Sequence, residues 1–119
     1  MTRLSTEHIM DTKERWTIAV FGESDTLTPS IASAWSETSM VLQGPYSARS
    51  VDEHGWHFGC AVIDVRYGPE LMLPLMEALE NKAIPYIFFV PVCDVGHHQG
   101  PFVLSSAKEE IGYIVSALA

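Results

Sequence analysis

Asp64 is the strongest candidate for chemistry in this sequence, because it lies near the end of an apolar segment, residues 60–65 (CAVIDV). A carboxylate buried beside a strand is costly unless it has a charged or hydrogen-bonding partner. Asp64 therefore needs a cation, N–H donors or access to solvent. Two interpretations stay open: Asp64 accepts hydrogen bonds from a loop, or it acts as a nucleophile or metal ligand.

Two more acids, Glu23 and Asp25, follow a second apolar segment, residues 16–21 (WTIAVF). If the two segments are neighbouring parallel strands, Glu23 and Asp64 face each other at one edge of the sheet. Two carboxylates so placed repel unless a divalent cation lies between them, and such a site suits Mg²⁺. The alternative is that Glu23 and Asp25 belong to a solvated loop, with Asp25 capping the next helix.

The elements that would position these acids follow from the hydrophobic pattern. Residues 46–57 predict a short amphipathic element, and Ser106 with Glu109 predicts a capping box before the last helix. The second helix is either kinked at Pro74 or begins there. Apolar segments predict strands at 16–21, 40–43, 60–65, 85–90 and 102–104, helical spacing predicts helices at 29–38, 69–81 and 107–118, and residues 91–101 read as a loop.

Strands that alternate with helices and are apolar throughout predict a parallel sheet covered on both faces. In such sheets, ligands and chemistry lie beyond the C-terminal ends of the strands. That rule selects four short stretches, residues 22–28, 64–68, 90–94 and 105–107.

Composition limits the possible functions. The chain has 119 residues, which predicts one domain, and a net charge of −8, which argues against nucleic-acid and anionic membrane partners. No apolar stretch approaches the roughly 20 residues that a membrane helix needs. Residues 1–15 are a polar leader that does not resemble a signal peptide. Cys60 and Cys93 lack metal-binding spacing, which favours a reducing, cytoplasmic compartment.

Two segments resemble the receiver domain of bacterial response regulators, the CheY-like family. Residues 17–45 (TIAVFGESDTLTPSIASAWSETSMVLQGP) resemble its first β-α-β unit, and residues 60–90 (CAVIDVRYGPELMLPLMEALENKAIPYIFFV) resemble its third strand, third helix and fourth strand. The resemblance implies a receiver-like domain over residues 16–119. Its α/β fold would be a flavodoxin-like, doubly wound, five-stranded parallel sheet of order 2-1-3-4-5, with the fourth helix shortened or replaced by a loop at 97–100.

The resemblance also implies roles at the acidic site. Asp64 matches the phospho-accepting aspartate of the family. Glu23, Asp64 and the backbone carbonyl of Arg66 match its Mg²⁺ ligands. Gly22 stands where the family usually has a further acid, so the implied Mg²⁺ site is weakened.

Two switch positions also depart from the family pattern. Val90 stands where a Thr or Ser is expected at the end of the fourth strand, and Ser106-Ala107 replaces the Lys-Pro pair after the fifth, with Lys108 close by. Because phosphoryl transfer to a carboxylate depends on positioning and charge neutralisation, these losses predict a degenerate active site.

The function that the resemblance implies is two-component phosphorelay signalling by a stand-alone receiver-like phosphoprotein, not an enzyme. Expected partners are a sensor histidine kinase or another signalling protein, and a second copy of the chain paired through residues 102–118. The alternative is a pseudo-receiver that serves as a protein–protein interaction module without phosphorylation.

Other sites are disfavoured by the residues themselves. A haloacid-dehalogenase phosphatase needs D-x-D, whereas residues 64–66 read Asp-Val-Arg. A flavin phosphate could use the hydroxyls within residues 24–28, but Glu23 and Asp25 would repel it. His97 and His98 suggest a metal site, although a polar loop is the simpler interpretation.

Overall fold

The computed structural model describes residues 17–38, 40–48, 58–96, 100 and 102–118. The predictions for the leader at 1–15, for most of the element at 46–57 and for His97 and His98 lie outside the described residues.

Five parallel strands form one sheet in the order β2-β1-β3-β4-β5. This order confirms the predicted α/β, flavodoxin-like sheet. The two central strands, β1 and β3, are buried almost throughout because apolar side chains cover both of their faces. The strands are β1 Thr17–Phe21, β2 Val41–Tyr46, β3 Cys60–Asp64, β4 Tyr86–Pro91 and β5 Val103–Leu104.

In the part of the chain that the structure describes, three helices pack around the sheet: α1 Pro29–Ser36, α2 Pro69–Asn81 and α3 Lys108–Leu118. Helix α1 begins after Thr28, whose hydroxyl accepts a hydrogen bond from the Ile31 N–H at 3.3 Å. Helix α2 runs unbroken through Pro74, so Pro74 does not mark its start. No helix in the described part of the chain is both long and apolar enough to cross a membrane.

The core consists of two apolar clusters, one on each face of the sheet. Alternate residues of β1 and β3 point to opposite faces, as the period of a strand requires. One cluster joins α1 and α3 to the sheet and contains Trp35, which is completely buried. The other joins α2 to the sheet through Leu75 and Leu79. The position of Asp64 in this alternation places it on the side of α1 and α3.

Most predicted boundaries shift by one or two residues, and two of the differences have a clear local cause. Strand β2 continues past Gly44-Pro45 to Tyr46, which an edge strand tolerates because the missing proline N–H is not needed for pairing with a further strand. Helix α3 begins at Lys108, so Ser106 is not its N-cap. The structure instead pairs the Ser105 hydroxyl with the carboxylate of Glu110, and that hydroxyl also accepts from the Ala107 N–H.

Between β4 and β5, residues 92–94 form one short 3₁₀ turn where the sequence predicts a loop. Residues 97–99 and 101 are outside the described part, so the prediction that the fourth helix is replaced over 97–100 is untested along most of its length.

Candidate functional site

Asp64 is the last residue of β3, at the C-terminal edge of the sheet. β3 lies between β1 and β4, and the strand order reverses direction between β1 and β3. Doubly wound sheets bind ligands at this kind of switch point. The Asp64 side chain is only 1% exposed, so its charge must be balanced by neighbouring groups.

Arg66 supplies that balance from the turn that follows β3. Its backbone N–H donates to Asp64 Oδ1 at 2.8 Å. Its Nε lies 3.1 Å from Oδ1 and 3.0 Å from Oδ2, and its Nη2 donates to Oδ2 at 2.8 Å. Each carboxylate oxygen of Asp64 therefore has two donor contacts, all of them from Arg66.

The same guanidinium also binds Asp25, on the loop after β1. Arg66 Nη2 lies 2.7 Å from Asp25 Oδ1, and Nη1 lies 3.2 Å from Oδ2. This hydrogen bonding lowers the pKa of Asp25 below its ordinary value of 3.8, and it raises the already high pKa of Arg66. We call Asp64, Arg66 and Asp25 the arginine clamp.

Glu23 holds the loop through its backbone. The Glu23 carbonyl accepts hydrogen bonds from the Thr26 N–H at 3.1 Å and from the Thr26 hydroxyl at 2.7 Å, while its side chain is exposed. The contacts of Asp64 that the structure describes reach Asp25 through Arg66. Of the two loop acids, Asp25 is thus the one joined to the buried carboxylate.

Gly22 is fitted closely against Thr26 and Asp64. A Cβ added at Gly22 would lie 2.8 Å from Thr26 Cγ2 and 3.3 Å from Asp64 Cβ. Thr26 is 1% exposed, so its methyl group occupies the space that a side chain at position 22 would need. Position 22 therefore cannot carry a side chain unless Thr26 repacks.

This geometry leaves little room for Mg²⁺ at the ligands that the resemblance implies. An ionised carboxylate offers about four lone-pair sites, and the four contacts from Arg66 engage both oxygens of Asp64. Within the described ranges, no group of three or more His, Cys, Asp or Glu side chains is placed to hold a metal ion. The donor set does not fit a Mg²⁺ ion while the arginine clamp is closed.

The two positions that the resemblance compares with the family's switch residues lie near the same edge. Val90 is buried at 1% exposure near the end of β4 and carries no hydroxyl. Ser106 is exposed, whereas Ser105 is buried and its carbonyl accepts from the Trp35 indole N–H at 3.2 Å. Helix α1 is thereby connected to the end of β5.

A cavity of about 530 Å³ opens beside Asp25, between the ends of β4, β5 and the start of α1. Its lining includes the apolar Ile31 and Val103 and the exposed Cys93, whose thiol donates to Asp25 Oδ2 at 3.4 Å. The hydroxyl of Thr28 on this rim is already used as a helix cap. This use, together with the acid at the rim, disfavours a bound flavin phosphate.

Comparisons with known proteins do not assign the chain to a family. No protein-family model matches it, and neither curated proteins nor solved structures give a match. Its interpretation depends on the fold and on the arginine clamp.

The Arg66 side chain is the functional group that the sequence reasoning missed. The resemblance drew attention to its backbone carbonyl alone. An Asp-x-Arg sequence at the end of a buried strand is the signal that could have revealed it, since a turn there can fold the guanidinium back onto the carboxylate. Tyr67 N–H donates to the Asp64 carbonyl at 3.3 Å and closes that turn.

The lowered pKa of Asp25 gives a pH-dependent prediction. Because the folded-state pKa lies below 3.8, the Arg66–Asp25 pair stabilises the fold above that pH, and this contribution is lost as pH falls through the folded pKa. Asp25 is half exposed, so the effect on stability is small. Carboxyl NMR titration should give a midpoint below 3.8 in the wild type and one closer to 3.8 in Arg66→Met. A wild-type midpoint at or above 3.8 would contradict the pairing.

Proposed function

We propose that this chain is a receiver-like signalling protein that passes its signal by contact with another protein. The observation that carries the proposal is the position of Asp64, a buried acid at the end of the central strand of a 2-1-3-4-5 sheet, at its switch point. The net charge of −8 suits a protein partner with a basic surface.

In the first form of the proposal, Asp64 accepts a phosphoryl group from a sensor histidine kinase or a small phosphodonor. An Asp64 oxygen forms the new bond to phosphorus, and the donor's bond to phosphorus breaks, so that acetate leaves when acetyl phosphate is the donor. Arg66 must first release at least one oxygen of Asp64. Its freed guanidinium could then pair with the phosphoryl oxygens, which it suits as a fork of N–H donors.

The second form is a pseudo-receiver that signals without phosphorylation, and the arginine clamp favours it. Both oxygens of Asp64 are engaged by Arg66, and the carboxylate is 99% shielded from solvent. In this form Asp64 stabilises the C-terminal edge of the sheet, and a partner protein binds a surface that does not change. The predicted face at residues 102–118, with Tyr113 62% exposed on α3, is a proposed contact surface for a partner or a second copy.

Intact-mass spectrometry after incubation with acetyl phosphate and Mg²⁺ separates the two forms. The first form predicts slow addition of one phosphoryl group to the wild type and none to Asp64→Asn. Beryllofluoride should shift the NMR signals of residues 64–66 in the wild type alone. If neither protein gains mass and neither spectrum changes, phosphorylation is excluded and the pseudo-receiver remains.

A further inference from the structure

We propose that Arg66 is the resident cation of this site, and that its guanidinium takes the place of a divalent metal ion between Asp64 and Asp25. The inference concerns the site of the proposed function, but it depends only on the placement of these three residues and on the packing at Gly22. It holds whether or not Asp64 accepts a phosphoryl group.

The carboxylate oxygens of Asp64 and Asp25 are already engaged by N–H groups of Arg66. Both oxygens of Asp64 receive donors from Arg66 at 2.8 to 3.1 Å. Both oxygens of Asp25 receive donors from the other edge of the same guanidinium. A metal ion that binds either carboxylate in this arrangement must first displace Arg66 N–H groups.

The charge of Arg66 supports the same proposal. Arginine stays protonated at any pH at which the protein is folded, so the site always contains a positive charge. Two carboxylates around one guanidinium leave a local charge of −1. Loss of the guanidinium would leave two facing carboxylates, which is the arrangement that attracts a divalent cation.

The limited space at Gly22 also supports the proposal. A side chain there would meet Thr26 Cγ2 at 2.8 Å, so the position cannot supply a further acidic ligand without repacking. Arg66 and Thr26 thus both disfavour a bound metal ion at this site. One provides the positive charge, and the other fills the place of the missing acid.

This proposal predicts competition between Arg66 and divalent cations. In Arg66→Met, Asp64 and Asp25 are released, and Mg²⁺ should produce saturable NMR shifts at residues 22–26 and 64–66. Substoichiometric Mn²⁺ should broaden the same signals. In the wild type, the affinity for either ion should be at least tenfold weaker.

Lys108→Met is the matched control for the charge change. Lys108 is an exposed cation at the start of α3, on the same edge of the sheet. At constant ionic strength this variant should respond to Mg²⁺ as the wild type does. A response equal to that of Arg66→Met would mean that net charge alone draws the metal, and the proposal would fail.

Arg66→Lys keeps the test decisive if Arg66→Met does not fold. A lysine retains the charge but cannot bridge two carboxylates with a planar fork, so Arg66→Lys should bind Mg²⁺ more tightly than the wild type, and less tightly than Arg66→Met where that variant folds. The proposal is overturned if the wild type binds Mg²⁺ as tightly as a folded Arg66 variant does. It is also overturned if a folded variant binds none. Neither readout depends on phosphorylation, so failure of the acetyl phosphate experiment leaves this test intact.

Discussion

Replacing Arg66 with Met is expected to lower the free energy of unfolding by roughly 3 kcal/mol, because it leaves the buried carboxylate of Asp64 without a counter-charge. The backbone N–H of residue 66 would remain as a donor, but the three side-chain contacts with Asp64 would be lost. The estimate is at the lower end for a broken buried pair, since the Arg66 side chain is 24% exposed and water can reach it. Urea denaturation followed by circular dichroism would measure the change at neutral pH.

Two further variants separate the buried pair from the exposed one. Asp25→Asn should cost less than about 1 kcal/mol, because Asp25 is half exposed and water screens its ion pair. The double variant Asp64→Asn/Arg66→Met should be more stable than Arg66→Met alone, since no charge is stranded in it. If Arg66→Met unfolds at the same urea concentration as Lys108→Met, the arginine clamp does not stabilise the fold.

The sheet could be predicted from the sequence because its signal is repeated along the chain. Apolar segments such as 16–21 and 60–65 alternate with helical spacing, and this alternation is compatible with few arrangements other than a covered parallel sheet. The order 2-1-3-4-5 came from the receiver resemblance, and the structure confirms it. The edge position of Asp64 follows from the same pattern.

The boundaries were less predictable because local signals compete there. Gly44-Pro45 indicates the end of a strand, yet β2 continues to Tyr46 because an edge strand needs hydrogen bonds on one side only. Ser106 and Glu109 have the spacing of a capping box, but the neighbouring pair Ser105 and Glu110 makes the contact. With α3 beginning at Lys108, the Ser105 hydroxyl contacts both the Ala107 N–H and the Glu110 carboxylate, and this spacing is not that of a capping box.

The sequence predicts the location of the site but not the partners of Asp64. The location of Asp64 depends on the strand pattern, which the sequence carries. Its partners depend on where the turn after β3 directs the Arg66 side chain and on whether the loop after β1 brings Asp25 within reach. Both depend on the conformations of two loops, which residue types do not determine. The sequence therefore also allowed Glu23 to be the acid that faces Asp64.

The packing at Gly22 leads to the second large prediction: Gly22→Ala should lower the free energy of unfolding by about 2 kcal/mol. The added Cβ would lie 2.8 Å from Thr26 Cγ2 and 3.0 Å from Thr26 Oγ1, and Thr26 is buried at 1% exposure. Because the backbone of Gly22 is not in the left-handed region, the cost arises from this contact and not from the φ angle. Urea denaturation of both proteins measures the difference.

Thr26→Ser provides the matched background for that prediction. Serine removes the methyl group that the new Cβ would strike, but it keeps the hydroxyl that donates to the Glu23 carbonyl at 2.7 Å. Gly22→Ala should therefore cost less than about 1 kcal/mol when Thr26 is already serine, since the remaining contacts can adjust by small shifts. An equal cost in both backgrounds would show that Thr26 does not fill the site. Coupling of the two positions would instead mean that position 22 accepts a side chain only after Thr26 is made smaller.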